Sequence, residues 1–415
     1  MAHDNGHNFM TRAALESLPE WEQNLWHSER KNLEEVYCMD AFHHQKEASV
    51  YLRMPNGMTP FSPWNLRIFR VPEPGKGKDY FICGYYKHTL YVFKYYISQI
   101  SETLKKKKFK DASKFAGILA HFIEDASTPP HSLGADLGID LEIIKLLLPS
   151  PNKEKRLVPL HTLLEREYEP FSLENYSPHL MGITPEESSF NLLDRFTDML
   201  ENSIKQIIPM VNAYYTNDYK TKRRHATTSA RFASQVLADA LHTAFCIAFE
   251  KFDEKEMIML NKVFLSARTP FQWTGWAPGP YIYPVIRNSN MSLDRDFKPV
   301  PLMLKFGAQM KRFDNGFGVG APFEITYLLP EKVYRKFSSY IGLHPDLGKG
   351  GEVIFKVMLD DKNIFTSRVF KNGEAERIEI DLKTARKISL VTEPTEESKD
   401  KSVNQAVWGE PMLVK

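Results

Sequence analysis

Histidines and carboxylates recur at the spacing of metal ligands near the middle of the chain. His121 and Asp125 are four residues apart in AHFIEDASTPPH, so on a helix both side chains leave the same face and could hold one ion. His131 follows a Pro-Pro pair, and His161 and Glu165 repeat the four-residue spacing in HTLLERE. Zinc accepts imidazole and carboxylate ligands, and two histidines with one carboxylate leave a coordination position for water. The pattern therefore predicts a catalytic zinc site.

One such pair would be weak evidence, because a histidine and an acid four residues apart also form ordinary contacts on helix surfaces. Two pairs, the proline break and a further histidine rarely occur together by chance. The metal interpretation depends on this combination.

The elements that position these residues are predicted to be helices. Apolar residues recur at helical spacing from residue 8 to about 265, with a break at Thr128-Pro129-Pro130 and a long irregular stretch from Met54 to Lys78. The clearest helical segments are HTLYVFKYYISQISETLKK, ASKFAGILAHFIEDAS, NLLDRFTDMLENSIKQIIPMVNAYY and SARFASQVLADALHTAFCIAFEKF.

The pattern changes after residue 267. A proline-, glycine- and tryptophan-rich stretch is followed by segments that alternate apolar and polar residues, such as EVIFKVMLDDKNIFTSRVF, which indicates a β-sandwich. The turn signals are Asp360-Asp361, Asn372-Gly373 and Asp314-Asn315-Gly316. A chain of 415 residues exceeds the size of one typical core. We therefore predict a helical domain at 1–266, a linker at 267–284 and a sandwich at 285–415.

The amino-acid composition excludes few classes of function. The formal net charge of +2 gives no reason to expect a nucleic-acid or membrane surface. Three cysteines are too few for a disulfide scaffold. We expect no transmembrane segment from the sequence, and its N-terminus lacks the apolar region of a signal peptide, so the protein is cytosolic or has lost a leader.

The segment FAGILAHFIEDASTPPH resembles the central helix of the zinc-dependent phospholipase C and single-strand-specific nuclease superfamily. The resemblance covers most of residues 1–265 and implies an all-α domain with two or three zinc ions. It implies that His121 and Asp125 hold one zinc, with Asp125 bridging to a second. His131, His161 and Glu165 would then hold the remaining ion.

Two more ligands follow from the resemblance alone. ERKNLEEVYCMDAF resembles the segment that ends in the family's shared aspartate, which makes Asp40 a ligand and the base for the attacking water. NGHNFMTRAALESLP resembles the opening helix, where the ligand would be His7. From the residues themselves, Asp40 could instead be an exposed helix acid, and His7 a disordered terminal residue.

The chain departs from the family pattern twice. Ala2 stands near the position of the family's N-terminal tryptophan, which ligates zinc. The family also has a histidine about 15 residues beyond its shared aspartate, whereas ASVYLRMPNGMTPFSPW contains none. One zinc could be weakened or lost, and His43 and His44 are either substitutes or helix-surface residues.

The C-terminal region, from FDNGFGVGAPFEITYLL to AVWGEPML, resembles the NPCBM family of carbohydrate-binding modules over about residues 285–415. The resemblance implies a jelly-roll sandwich that binds a glycan, and hence a secreted or periplasmic protein. We expect Phe337, Trp408 and Tyr340 to be core residues rather than a platform for a sugar.

The leading hypothesis is a zinc-dependent hydrolase of phosphodiesters, with Asp40 taking the proton of the attacking water. Glu165, where the nuclease branch tends to use aspartate, and the near-neutral charge favour a phospholipid over a nucleic acid. The alternatives are a single-strand nuclease and a catalytically degenerate protein that binds glycans.

Overall fold

The computed structural model describes residues 4–39, 51–61, 67–69, 81–129, 168–275, 285–291, 298–371, 374–398 and 400–415. The chain divides into two compact units, Met1–Ile68 with Phe81–Ile258 and Phe69–Tyr80 with Met259–Lys415. The first unit is predominantly helical and the second is an all-β sandwich, which confirms the predicted fold class. The domain limits drawn from the sequence at 266 and 285 stay predictions.

Amphipathic helices build the first unit, and the four strongly periodic segments of the sequence fall on its four longest described helices. The helices are α1 (Asp4–Ser17), α2 (Glu20–Trp26), α3 (Tyr86–Lys105), α4 (Phe109–Ser127), α5 (Pro185–Tyr215), α6 (Tyr219–Phe249) and α7 (Glu254–Met259). A single α-helical turn, Arg30–Asn32, continues directly into a π-helix, Leu33–Tyr37.

Helix α6 is the centre of this unit and packs against α1, α3, α4 and α5. It is lined with small residues such as Ala226, Ala230 and Ala233, which are fully buried and let the neighbouring helices approach closely. Among the described residues α6 is the one helix long and apolar enough to cross a bilayer. However, 78% of its apolar window is buried inside the protein, as in the core helix of a globular protein.

The end of α4 follows the predicted proline break. Thr128 precedes Pro129 and has an extended backbone with ψ of 130°, because a residue before proline is disfavoured in the helical conformation. The helix therefore ends at Ser127, just after the residues that could bind a metal.

The irregular stretch predicted from Met54 to Lys78 is only partly irregular. Strand β1 (Arg67–Phe69) lies within it and pairs with β2 (Phe81–Tyr85). Both strands are rich in aromatic and β-branched residues, and this local preference prevails over the surrounding prolines and glycines.

Two six-stranded antiparallel sheets form the sandwich of the second unit, and two short two-stranded sheets are present in addition. The strands are β3 (Lys262–Phe264), β4 (Gln272–Gly275), β5 (Val285–Arg287), β6 (Asn290–Met291), β7 (Pro299–Val300), β8 (Leu302–Phe306), β9 (Gln309–Phe313), β10 (Gly316–Val319), β11 (Phe323–Leu328), β12 (Lys336–Leu343), β13 (Glu352–Leu359), β14 (Lys362–Thr366), β15 (Phe370–Lys371), β16 (Ala375–Asp381), β17 (Lys387–Pro394) and β18 (Ala406–Val414). One sheet has the order β16-β12-β18-β10-β5, with β3 paired to β18, and the other has the order β14-β13-β17-β11-β4, with β15 paired to β13.

The sandwich core comes from residues that alternate inward along these strands. Burial along β13 alternates residue by residue, as the sequence pattern predicts. Phe355 on one sheet contacts Trp408 on the other, with ring centroids 5.2 Å apart. The β13–β14 hairpin turns at Asp360 and Asp361, which both have positive φ, as a tight hairpin requires.

Candidate metal centre

Helices α1 and α4 bring together three of the predicted ligands, His7, His121 and Asp125. One ligand atom from each lies within 4.8 Å of the others. The Nε2 atom of His7 is 3.5 Å from Asp125 Oδ1, and the Nε2 atom of His121 is 3.3 Å from Asp125 Oδ2. The two imidazole rings stack with their centroids 4.3 Å apart. The Nε2 atoms of residues 114 positions apart in sequence thus converge on one carboxylate.

Each imidazole is held from its opposite side through Nδ1. His7 Nδ1 lies 2.8 Å from Oε2 of Glu124, and His121 Nδ1 lies 2.6 Å from the carbonyl oxygen of Cys38. Glu124 is fully buried, and its other oxygen accepts a hydrogen bond of 2.6 Å from the Thr11 hydroxyl. A carboxylate and a carbonyl can only accept, so both Nδ1 atoms carry the proton. This tautomer leaves each Nε2 lone pair for a metal, the arrangement that metal-binding histidines adopt.

The carbonyl of Cys38 reaches His121 because α4 lies very close to the π-helix at Gly117. A Cβ atom added at Gly117 would lie 2.5 Å from the backbone carbonyl carbon and oxygen of Tyr37. Only glycine allows this approach, one helical turn before His121. Helices with π-type hydrogen bonding often occur at functional sites, and here one directs a carbonyl at a ligand.

The electrostatics of the cluster suit a cation. Burial opposes ionisation of Asp125, but the neighbouring His121 and His7 outweigh it and hold the Asp125 pKa well below its usual range. Burial also opposes protonation of His7, but hydrogen bonds to Asp125 and Glu124 and their charges raise the pKa of His7 to about 10. The buried Glu124 and the partly buried Asp125 therefore favour a positive charge beside His7. A proton on His7 supplies that charge in the metal-free protein, and a divalent ion would supply it in the proton's place.

The donor set of this cluster fits zinc, with two neutral imidazole nitrogens and a carboxylate oxygen directed at one another. The remaining predicted site residues lie outside the described residues, as do the two histidines considered as substitutes: Asp40, His131, His161, Glu165, His43 and His44. Their roles stay predictions.

The segment between α2 and α3 contributes an aromatic ring to the surroundings of His121. Phe61 packs edge-on against His121, with ring centroids 5.5 Å apart. Apolar contact therefore covers part of His121 on that side.

Several residues around this centre could not be assigned a role from the sequence, among them Glu124 and Gly117. Glu124 directly precedes Asp125 and lies on the buried side of an apolar helix. An acidic residue at a position where the helix pattern predicts burial is a signal that it contacts a specific partner. Gly117 is a glycine within a helix, which costs about 1 kcal/mol relative to alanine and is therefore a signal of close packing.

Two of the three aromatic residues expected in the sandwich core are fully buried, and the third is partly buried. Phe337 and Trp408 are fully buried, and the indole of Trp408 donates a hydrogen bond of 3.0 Å to Thr392 Oγ1. Tyr340 is partly buried beside Phe313, and the Lys311 ammonium lies 3.6 Å from its ring centroid.

The fold and the centre together define a two-part chain, a helical unit with a candidate metal centre and a β-sandwich. Residues 280–414 match the model of the NPCBM/NEW2 domain family, which confirms the resemblance found in the C-terminal sequence. No curated protein matches the chain.

Several solved structures are similar. One contains the M60 catalytic domain with the CBM51-1 and CBM51-2 domains of Clostridium perfringens ZmpB, with 23% identity, a TM-score of 0.32 and coverage of 37% of this chain and 15% of that chain. Another is CBM51 from Clostridium perfringens GH95 in complex with methyl-galactose, with 18% identity, a TM-score of 0.32 and coverage of 37% and 99%. A third is Clostridium perfringens alpha-toxin from avian strain SWCP, with 10% identity, a TM-score of 0.33 and coverage of 96% and 84%.

Proposed function

We propose that the chain is a zinc-dependent hydrolase of phosphodiester bonds, most similar in activity to phospholipase C, joined to a glycan-binding domain. The observation that carries the proposal is the convergence of two Nε2 atoms on the Asp125 carboxylate, with both Nδ1 atoms held by acceptors. Ion pairing alone does not require each imidazole to be anchored in one tautomer, whereas metal binding does.

Each residue has a defined part in this proposal. His7, His121 and Asp125 hold one zinc, and by the family resemblance His131, His161 and Glu165 hold another. Zinc supplies charge stabilisation at the phosphoryl oxygens and a water that is acidic near neutral pH.

Asp40, which the resemblance makes both ligand and base, receives the proton of the attacking water. Glu124 fixes the His7 ring from behind, and the Cys38 carbonyl does the same for His121. Both anchors keep the Nε2 atoms directed at the metal while charge changes at the phosphoryl group.

A phospholipid is the favoured substrate. The formal net charge of +2 lacks the basic excess of a typical nucleic-acid binder, and Glu165 matches the phospholipase branch of the superfamily. The NPCBM/NEW2 match supports glycan binding by the sandwich, and a glycan-binding domain suits a secreted or periplasmic protein.

Metal content and turnover together test the proposal. We expect the catalytic centre to account for two or three zinc ions per chain in elemental analysis of the purified protein. We also expect hydrolysis of phosphatidylcholine micelles to be faster than hydrolysis of single-stranded DNA. Asp40→Asn should abolish turnover while retaining at least two ions. Turnover in the Asp40→Asn variant at the wild-type rate would refute its role as base.

The assay also separates the alternatives. Faster hydrolysis of single-stranded DNA would identify a nuclease. Fewer than two bound ions, with no hydrolysis at excess zinc, would identify a degenerate domain whose function is glycan binding, and this result would overturn the proposed activity.

A further inference from the structure

A second cluster of side chains that could bind a metal lies in the helical unit. His242 and Cys246 are four residues apart on α6, and Glu22 of α2 faces them. One ligand atom from each of the three lies within 4.8 Å of the others. The cluster shares no residue with the centre formed by α1 and α4.

The distances from Cys246 to His242 are those between two ligands of one metal ion. The Sγ atom of Cys246 lies 3.8 Å from Nδ1 and 3.6 Å from Nε2 of His242. Ligand atoms on one tetrahedral zinc are about 3.3–3.8 Å apart, given zinc bonds of about 2.0–2.3 Å. Either nitrogen of His242 could therefore share an ion with the sulfur.

Two carboxylates flank the histidine. Glu22 Oε1 lies 2.6 Å from His242 Nδ1, and Glu256 of α7 lies 3.4 Å from His242 Nε2. Glu256 is held in place because its Oε1 accepts a hydrogen bond of 3.0 Å from the backbone N–H of Leu180. One carboxylate can thus orient the ring while the other completes the ligand set.

The cluster is buried, and His242 contacts one oxygen of Glu22 and not the other. Glu22 is 0% exposed, and its Oε2 atom has no hydrogen-bond partner among the described residues. Cys246 and His242 are also buried. An unpaired carboxylate oxygen in a buried position is strongly disfavoured unless a cation or donor reaches it.

We infer that Glu22, His242 and Cys246 form a second site for a divalent metal ion with the preferences of zinc, with Glu256 at its edge. Thiolate, imidazole and carboxylate together favour zinc over magnesium or calcium, which prefer oxygen ligands alone. The site joins α2, α6 and α7, so the ion would fasten the ends of the helical unit to its central helix. Metal loading would then stabilise the fold independently of catalysis.

Cobalt substitution of the full-length chain tests this site, because a thiolate ligand gives cobalt a charge-transfer absorption in the near ultraviolet. We expect this band in the wild-type protein at saturating Co²⁺. Cys246→Ser should lose the band and bind one ion fewer per chain. Cys83→Ser is the matched control and should keep the band and the full metal content.

The test also distinguishes this site from the proposed catalytic centre. Asp125→Asn alters the centre on α4 and should leave the cobalt–thiolate band unchanged, even if the proposed activity fails. Absence of the band in the wild-type protein, a measurement that needs no variant, would overturn the inference and leave Glu22 and His242 as a hydrogen-bonded pair. Persistence of the band in Cys246→Ser would overturn it as well.

Discussion

Replacement of Glu124 by glutamine tests how the first centre is held. Glu124 is fully buried, and its two oxygens separately contact His7 Nδ1 at 2.8 Å and Thr11 Oγ1 at 2.6 Å. In Glu124→Gln only one of the two side-chain heavy atoms can accept, so one donor loses its partner and the charge that supports the His7 tautomer is removed.

The expected loss of zinc affinity follows from the contact between Glu124 and His7. Loss of a carboxylate behind a metal-binding histidine typically lowers metal affinity 10- to 100-fold, which corresponds to about 1.4–2.8 kcal/mol. We therefore expect the zinc affinity of the Glu124→Gln variant to fall by roughly this factor, with all three ligands of the first centre present. Competition with a chromogenic chelator measures the affinity, and a Cys246→Ser background removes the contribution of the second site.

Thr11→Val is the matched control. It removes the other hydrogen bond of Glu124 and leaves the contact with His7 in place. The unpaired oxygen should cost about 1–3 kcal/mol of unfolding free energy, measured by urea titration of the metal-free protein, with little change in zinc affinity. Equal losses of affinity in Glu124→Gln and Thr11→Val, or wild-type affinity in Glu124→Gln, would refute the orienting role of Glu124.

Three further predictions concern packing and charge. Gly117→Ala places a methyl group against the Tyr37 carbonyl. We therefore expect the free energy of unfolding in urea to fall by about 1–3 kcal/mol and the zinc affinity to fall roughly tenfold. Unchanged values in both measurements would contradict the close approach. Asp239→Asn weakens an ion pair in which Arg195 Nε donates to the buried Asp239 at 3.0 Å. We expect a lower urea midpoint and a loss of about 3 kcal/mol of unfolding free energy. A loss below about 1 kcal/mol would show that the pair contributes little to stability. The hydrogen bond to Asp239 raises the pKa of His179, although burial opposes this shift, so its stabilising effect is fully present below about pH 6.5 and is lost as pH rises through the higher folded-state pKa. The thermal midpoint of the wild type should therefore exceed that of His179→Gln by more at pH 6 than at pH 9, and an equal difference at both would refute the coupling.

The long elements could be predicted from the sequence because their signals are local. Helical periodicity identified α3, α4, α5 and α6, and the Thr128-Pro129 pair located the end of α4, since proline constrains the residue before it. The alternation of apolar and polar residues predicted the strands of the sandwich in the same way, and burial along β13 follows it. The Asp360-Asp361 pair marked a turn, and both residues have positive φ in the structure. The short pair of β1 and β2 was missed because two short strands give little periodic signal within a stretch rich in proline and glycine.

The sequence by itself determined which residues of the first centre could bind a metal, since the spacing of His121 and Asp125 puts both on one face of any helix they form. His7 was identified only by the family resemblance, because no local pattern near residue 7 indicates that α1 packs against α4. The role of Glu124, the carbonyl of Cys38 and the close approach at Gly117 arise from contacts between segments distant in sequence. The same holds for the second cluster, in which Glu22 and His242 are 220 residues apart. Spacing along one helix is fixed by its repeat, whereas the tautomer and orientation of each imidazole depend on packing that only the tertiary structure decides.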